Sequence, residues 1–133
     1  MKRIKITPRE NYIDKLESLS FKFHSLENLY WNESAYYEFN MNQVNQLEKA
    51  TNELYEMCLN AVQHVIDNNL YEKLCIDPAL IPLIIRSWDN EEPSVYGRFD
   101  FGYDGINPPK MLEFNADTPT SLYEASGYAN HQH

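Results

Sequence analysis

Val95-Tyr96-Gly97-Arg98-Phe99-Asp100-Phe101 and Met111-Leu112-Glu113-Phe114-Asn115 decide how this chain is read. Each stretch alternates polar with apolar residues, the period of a strand with one face on a core. Between them Asp104-Gly105 opens a turn and Pro108-Pro109 stiffens its far side, so residues 95–115 read as a β-hairpin. Side chains two apart share a face. Arg98 and Asp100 therefore point away from Phe99 and Phe101, and Glu113 and Asn115 away from Leu112 and Phe114. With both apolar rows turned to the core, Arg98, Asp100, Glu113 and Asn115 are expected on one surface.

That set has a chemistry. Carboxylate and amide oxygens are hard ligands of the kind Mg²⁺ takes where phosphates and water complete its shell. A planar guanidinium forks onto phosphate oxygens and opposes charge that develops in phosphoryl transfer. A structural salt-bridge ladder is the competing reading. The stretch that follows, Asn115-Ala116-Asp117-Thr118-Pro119-Thr120-Ser121-Leu122-Tyr123-Glu124-Ala125, reads as a strand end entering a helix. Asp117 or Thr118 is the expected cap, and the hydroxyls of Thr118, Thr120 and Ser121 join free N–H groups in an expected anion site. An ordinary capping box explains the same residues.

Upstream, Thr7-Pro8-Arg9-Glu10 predicts a capped helix running to about Leu19. Phe21-Lys22-Phe23, part of Leu29-Tyr30-Trp31, and Ala35-Tyr36-Tyr37-Glu38-Phe39 read as aromatic strands, with packing preferred over a ligand surface for their rings. The strongest helix is expected from Met41 to Asn68. Asn40 caps it with Gln43 three residues on, and Val44, Leu47, Thr51, Leu54, Cys58, Ala61 and Val65 make one face. Met57, Leu59, Val62 and Ile66 widen that face, so its second half should be buried more deeply. Cys58 and His64 read as structural. A shorter buried segment is expected at about 78–88.

Composition sets limits. The 133 residues suit one domain, and 43% apolar content is enough for a core. Eleven Lys and Arg against 20 Asp and Glu give a net charge of -9, too acidic for the chain as a whole to hold a nucleic-acid backbone. The longest apolar run, Ala79–Ile85, is far short of the roughly 20 residues a spanning helix needs. Met1–Pro8 has no apolar stretch behind its charges, and two distant Cys suit a reducing compartment. The expectation is a cytoplasmic protein with no nucleic-acid or membrane partner.

Tyr96–Phe101 and Leu112–Ala125 together resemble the glutathionylspermidine synthase family, as do Ile6-Thr7-Pro8-Arg9, Tyr30-Trp31-Asn32-Glu33-Ser34-Ala35-Tyr36-Tyr37-Glu38-Phe39 and Arg86-Ser87-Trp88. The resemblance covers residues 1–126, and 127–133 read as a tail outside it. It implies an α+β fold with helices on a mainly antiparallel sheet, a pre-ATP-grasp-like domain plus the first β-hairpin of an active site. It also implies an ATP- and Mg²⁺-dependent carboxylate–amine ligase working through an acyl phosphate. Its substrates would be a glutathione-like peptide and a polyamine-like amine. By motif position Arg98 is the phosphate-contacting catalytic arginine, Asp100, Glu113 and Asn115 are Mg²⁺ ligands, Arg98 and Asp100 also face the nucleotide, and Thr118 and Thr120 contact substrate. The family's nucleotide-binding lysines would lie beyond residue 133, so a truncated, N-terminal part of a synthetase is expected, inactive alone and prone to self-association through uncovered apolar surface. A non-catalytic α+β binding or interaction module is the alternative.

Overall fold

The computed structural model describes residues 1–25, 30–122 and 124–125. Leu29, Tyr123 and the expected tail at 127–133 lie outside the described residues. The order of elements is β1 (Lys2–Lys5), α1 (Tyr12–Ser18), β2 (Ala35–Glu38), α2 (Met41–Asp67), 3₁₀ turns at Tyr71–Leu74 and Pro78–Leu80, α3 (Ile81–Asp89), β3 (Arg98–Gly102) and β4 (Lys110–Asn115). The chain is α+β, and among the described residues its strands form two separate antiparallel pairs, β1–β2 and β3–β4.

The N-terminal part departs most from expectation. Lys2-Arg3-Ile4-Lys5 forms a strand that partners β2, with Lys2 opposite Glu38 and Lys5 opposite Ala35. The expected cap at Thr7 does not form. Glu33 takes the Arg9 backbone N–H at 3.3 Å and Arg9 Nε at 3.0 Å, and it pairs with Arg9 Nη2 as well. That grip keeps the chain out of the helix through Arg9. Helix α1 begins only at Tyr12, after Asn11 in the left-handed region at φ 57°, with no side-chain cap. Residues 21–23 are not a strand. Phe21 instead closes the core, fully buried with Leu16 and packed by Tyr12, Leu19 and Trp31. Its ring lies 4.4 Å from Phe23 and meets Trp31 edge-on at 5.7 Å.

Helix α2 forms with the expected capping box: Asn40 Oδ1 accepts from Gln43 N at 3.0 Å, and Gln43 Oε1 from Asn40 N at 3.1 Å. Leu47, Thr51, Leu54, Cys58 and Val65 lie on its half-buried face, whereas Val44 and Ala61 are exposed. The second half is not the deeper one, since Met57 and Val62 face solvent and no α2 residue is fully buried. Packing reaches this helix from two sides. Trp88 of α3 donates its indole N–H to Gln63 at 2.7 Å, and Tyr55 meets the Phe114 ring edge-on at 6.3 Å.

The hairpin is tied to α2 at its turn as well. Gln43 Nε2 donates to the Gly105 carbonyl at 2.7 Å, and the Tyr103 hydroxyl donates to Gln46 at 2.7 Å. Asp104 holds the turn, accepting the backbone N–H groups of Ile106 and Asn107 and the Asn107 amide. Those three donors lower its carboxyl to about 2.

Candidate functional site

Strand pairing brings the four expected residues together. Arg98 is the register partner of Asn115, Asp100 of Glu113, and Phe99 of Phe114 between them. Consecutive pairs alternate in face, so Arg98, Asp100, Glu113 and Asn115 share one surface. The opposite face is fixed by Phe99 stacked on Phe114, 4.1 Å between centroids and 10° between planes. Phe101 lies 5.9 Å from Phe99 on the same row. A register shift follows immediately between Asp100 and Phe101, after which Phe101 partners Met111. Leu112 is the extra residue of that bulge, 71% exposed, and does not turn to the core as strand alternation had suggested. The bulge falls beyond the two polar pairs and leaves their face intact.

Arg98 is the hub of the surface. Its Nε donates to Asp100 Oδ1 at 2.8 Å and its Nη2 to Asp100 Oδ2 at 3.3 Å. Nη1 reaches across to the loop after β4, donating to Thr120 Oγ1 at 2.7 Å and to the Thr120 carbonyl at 3.3 Å. The hydrogen bonds to Asp100, with Coulomb attraction from Asp100 and Glu113, raise the guanidinium pKa further. The Glu113 carboxylate accepts no hydrogen bond and makes no ion pair among the described residues.

The segment after β4 is a bent loop, not the expected helix entry. Asn115 Oδ1 accepts the backbone N–H of Thr118 at 3.2 Å, which turns the chain at Asp117 and Thr118. That N–H is thereby used, and the helical residues begin only at Leu122. Neither Asp117 nor Thr118 is a helix cap. Ser121 sits in the left-handed region at φ 78°. The sequence pattern reads another member of this neighbourhood, Tyr30, only as a packing ring; its hydroxyl donates to Glu124 Oε1 at 2.7 Å across 94 residues of sequence. That bond, then burial and the Glu124 charge, raise the phenol pKa, while Arg98 opposes them. Nothing in a local pattern signals such a pairing.

The donor set can be weighed against a magnesium ion from these contacts. Two carboxylates directly opposite each other repel unless a cation is near. Arg98 neutralises Asp100, and Glu113 is left free beside it. The Asn115 amide oxygen spends one lone pair on Thr118 and keeps another. Among the described residues no three His, Cys, Asp or Glu side chains gather into a metal-binding group. Two acids and an amide fit an ion that takes its remaining oxygens from phosphate and water.

The fold and this surface define a small α+β unit that presents a hairpin of mixed charge beside a hydroxyl-bearing loop. The chain belongs to the family described as glutathionylspermidine synthase preATP-grasp, whose model matches residues 3–132. It is 42% identical over 131 residues to a putative acid–amine ligase of Haemophilus influenzae, a match covering 95% of this chain and 33% of the relative. It is 34% identical over 95 residues to a glutathionylspermidine synthase of Crithidia fasciculata, covering 68% of this chain and 13% of that protein. The bifunctional glutathionylspermidine synthetase/amidase of Escherichia coli is 36% identical over 94 residues, covering 68% and 15%. The chain thus spans a third or less of the length of these relatives. No helix among the described residues is long and apolar enough to cross a membrane.

Proposed function

We propose that this chain supplies one wall of the active site of an ATP- and Mg²⁺-dependent acid–amine ligase. The observation that carries the reading is the adjacency of the Arg98–Asn115 and Asp100–Glu113 pairs on a single hairpin face. The reaction has two steps. A substrate carboxylate takes the terminal phosphoryl group of ATP, giving an acyl phosphate and ADP. An amine then attacks the acyl carbon, the C–N bond forms, phosphate leaves, and the amine's proton passes to solvent or base.

In this scheme Arg98 holds phosphate oxygens as charge shifts onto them, which is the catalytic role of a preorganised guanidinium. Asp100, Glu113 and Asn115 hold Mg²⁺, and Arg98 and Asp100 also face the nucleotide. Magnesium, when bound, screens the phosphate charge and keeps the phosphates in line. Thr118 and Thr120 offer hydroxyls to the carboxylate substrate, for which the relatives' names suggest a glutathione-like peptide. The same names suggest a polyamine-like amine. Exposed apolar side chains such as Val95, Ile106 and Leu112 are the reason to expect self-association of the isolated chain.

Phosphoryl transfer also needs held nucleotide and exclusion of water, and a single exposed hairpin face provides neither. The 133 residues alone are therefore inactive in this proposal. An ADP-release assay with the purified chain, MgATP, glutathione and spermidine tests it. No release above background is expected, and Mg²⁺-dependent release abolished by Asp100→Ala would overturn the claim of inactivity.

A further inference from the structure

We propose that Tyr30 is a positioning residue that clamps the loop carrying Thr118 and Thr120 against the hairpin. What that loop would hold rests on the ligase reading above; the clamp itself rests on geometry.

Among the described residues, side chains hold the segment after the last strand at three places, the third at Glu124 just past the loop. Asn115 holds Thr118 N, Arg98 holds Thr120 through its hydroxyl and carbonyl, and Tyr30 holds Glu124 through a 2.7 Å hydrogen bond. Ser121, at φ 78°, lies between the last two. A non-glycine residue in that region costs of order 1 kcal/mol or more and persists only when its neighbours over-determine it. Arg98 fixes the residue before Ser121. Beyond it, the Ala125 N–H bonds the Ser121 carbonyl at 3.0 Å, and Tyr30 fixes the intervening Glu124.

Tyr30 is itself well founded. The backbone N–H groups of Tyr30 and Trp31 both bond the His24 carbonyl, at 3.1 and 3.0 Å. The Tyr30 ring lies 6.1 Å from the buried Phe21 ring and 6.2 Å from Phe23. Trp31 donates its indole N–H to Glu33 at 3.2 Å, the carboxylate that also grips Arg9. The N-terminal aromatic cluster thus ends in a phenol aimed at the loop. Tyr30 stands at the edge of that cluster, 53% exposed, and its hydroxyl meets a residue 94 positions further along the chain.

Tyr30→Phe removes the hydroxyl and keeps the ring. Amide hydrogen exchange of the 133-residue chain, read by NMR, is the test. One lost hydrogen bond of this kind should speed exchange at Thr118 and Ala125, the two loop amides that donate hydrogen bonds, by roughly 2- to 10-fold, with α2 amides unchanged. Glu124→Gln, which keeps an acceptor for the phenol, should stay within roughly 2-fold of the parent chain. Unchanged exchange in Tyr30→Phe overturns the clamp. Faster exchange throughout, α2 included, also overturns it, since the hydroxyl would then support global stability only. Neither readout involves metal or nucleotide, so failure of the clamp is separable from failure of the ligase reading.

Discussion

Gly97→Ala probes the packing on which the polar face depends. A Cβ built at Gly97 would sit 2.7 Å from Cε2 and 3.0 Å from Cζ of Phe114. Carbon atoms pack best at about 3.5–4.0 Å, so the ring must yield by nearly an ångström. It has little room to do so, because Phe99 is stacked on it at 4.1 Å and Tyr55 abuts it at 6.3 Å. Overpacking of this kind costs about 1–3 kcal/mol, and the lower unfolded-state entropy of alanine returns about 0.4–1 kcal/mol. A net loss of about 1–2 kcal/mol corresponds to roughly 3–10 °C in melting temperature for a chain of this size. Gly102→Ala is the matched control: its Cβ meets nothing closer than 3.9 Å, and a change within about 0.5 kcal/mol is expected. Thermal unfolding followed by circular dichroism reads both variants. Equal melting temperatures for Gly97→Ala and Gly102→Ala would refute the argument that a close-packed aromatic row holds the site strands in register.

Three further outcomes follow from named contacts. Glu33→Gln removes the charge that binds the Arg9 guanidinium and backbone, and should cost about 2 kcal/mol, read by urea denaturation. The Glu33 carboxyl is held below its ordinary value, chiefly by the hydrogen bond from Arg9, and Asp104 is lowered to about 2. Carboxyls lowered on folding stabilise fully above their unfolded values, 4.5 and 3.8 here, and lose that contribution as pH falls through their folded values. Melting temperature should therefore fall on acidification from those values, with the Glu33 part of the fall missing in Glu33→Gln. Arg98→Ala frees both oxygens of Asp100 and removes a positive charge beside Glu113, so Mg²⁺ affinity of the chain should rise roughly 3- to 10-fold in an NMR titration. A weaker affinity would mean that Arg98 helps the ion instead of competing with it.

The parts legible in the sequence are those written in local periodicity. Asn40 and Gln43 announce the start of α2 because a capping box needs only three residues of spacing. The polar row of the hairpin is legible because alternation alone assigns a face, and the bulge at Leu112 lies outside the two polar pairs. What escaped is decided by partners far along the chain. β1 exists because Lys2–Lys5 finds Ala35–Glu38, and nothing within the first strand names that partner. The Thr7 capping box was a sound local signal overridden by Glu33, 24 residues from Arg9. Thr118 is the local exception: the Asn115 side chain, three residues back, turns the chain there, and the helical residues start only at Leu122. Tyr30 read as packing, which its ring does, while its hydroxyl serves the loop.

A Mg²⁺ titration of the 133-residue chain, followed by NMR of backbone and side-chain signals, addresses the candidate site without requiring turnover. Saturable shifts concentrated at Asp100, Glu113 and Asn115 and lost in Asp100→Asn are predicted. Shifts spread evenly over the acidic surface, or none at these three residues, would mean that the charged hairpin face is a salt-bridge ladder and not part of a ligase site.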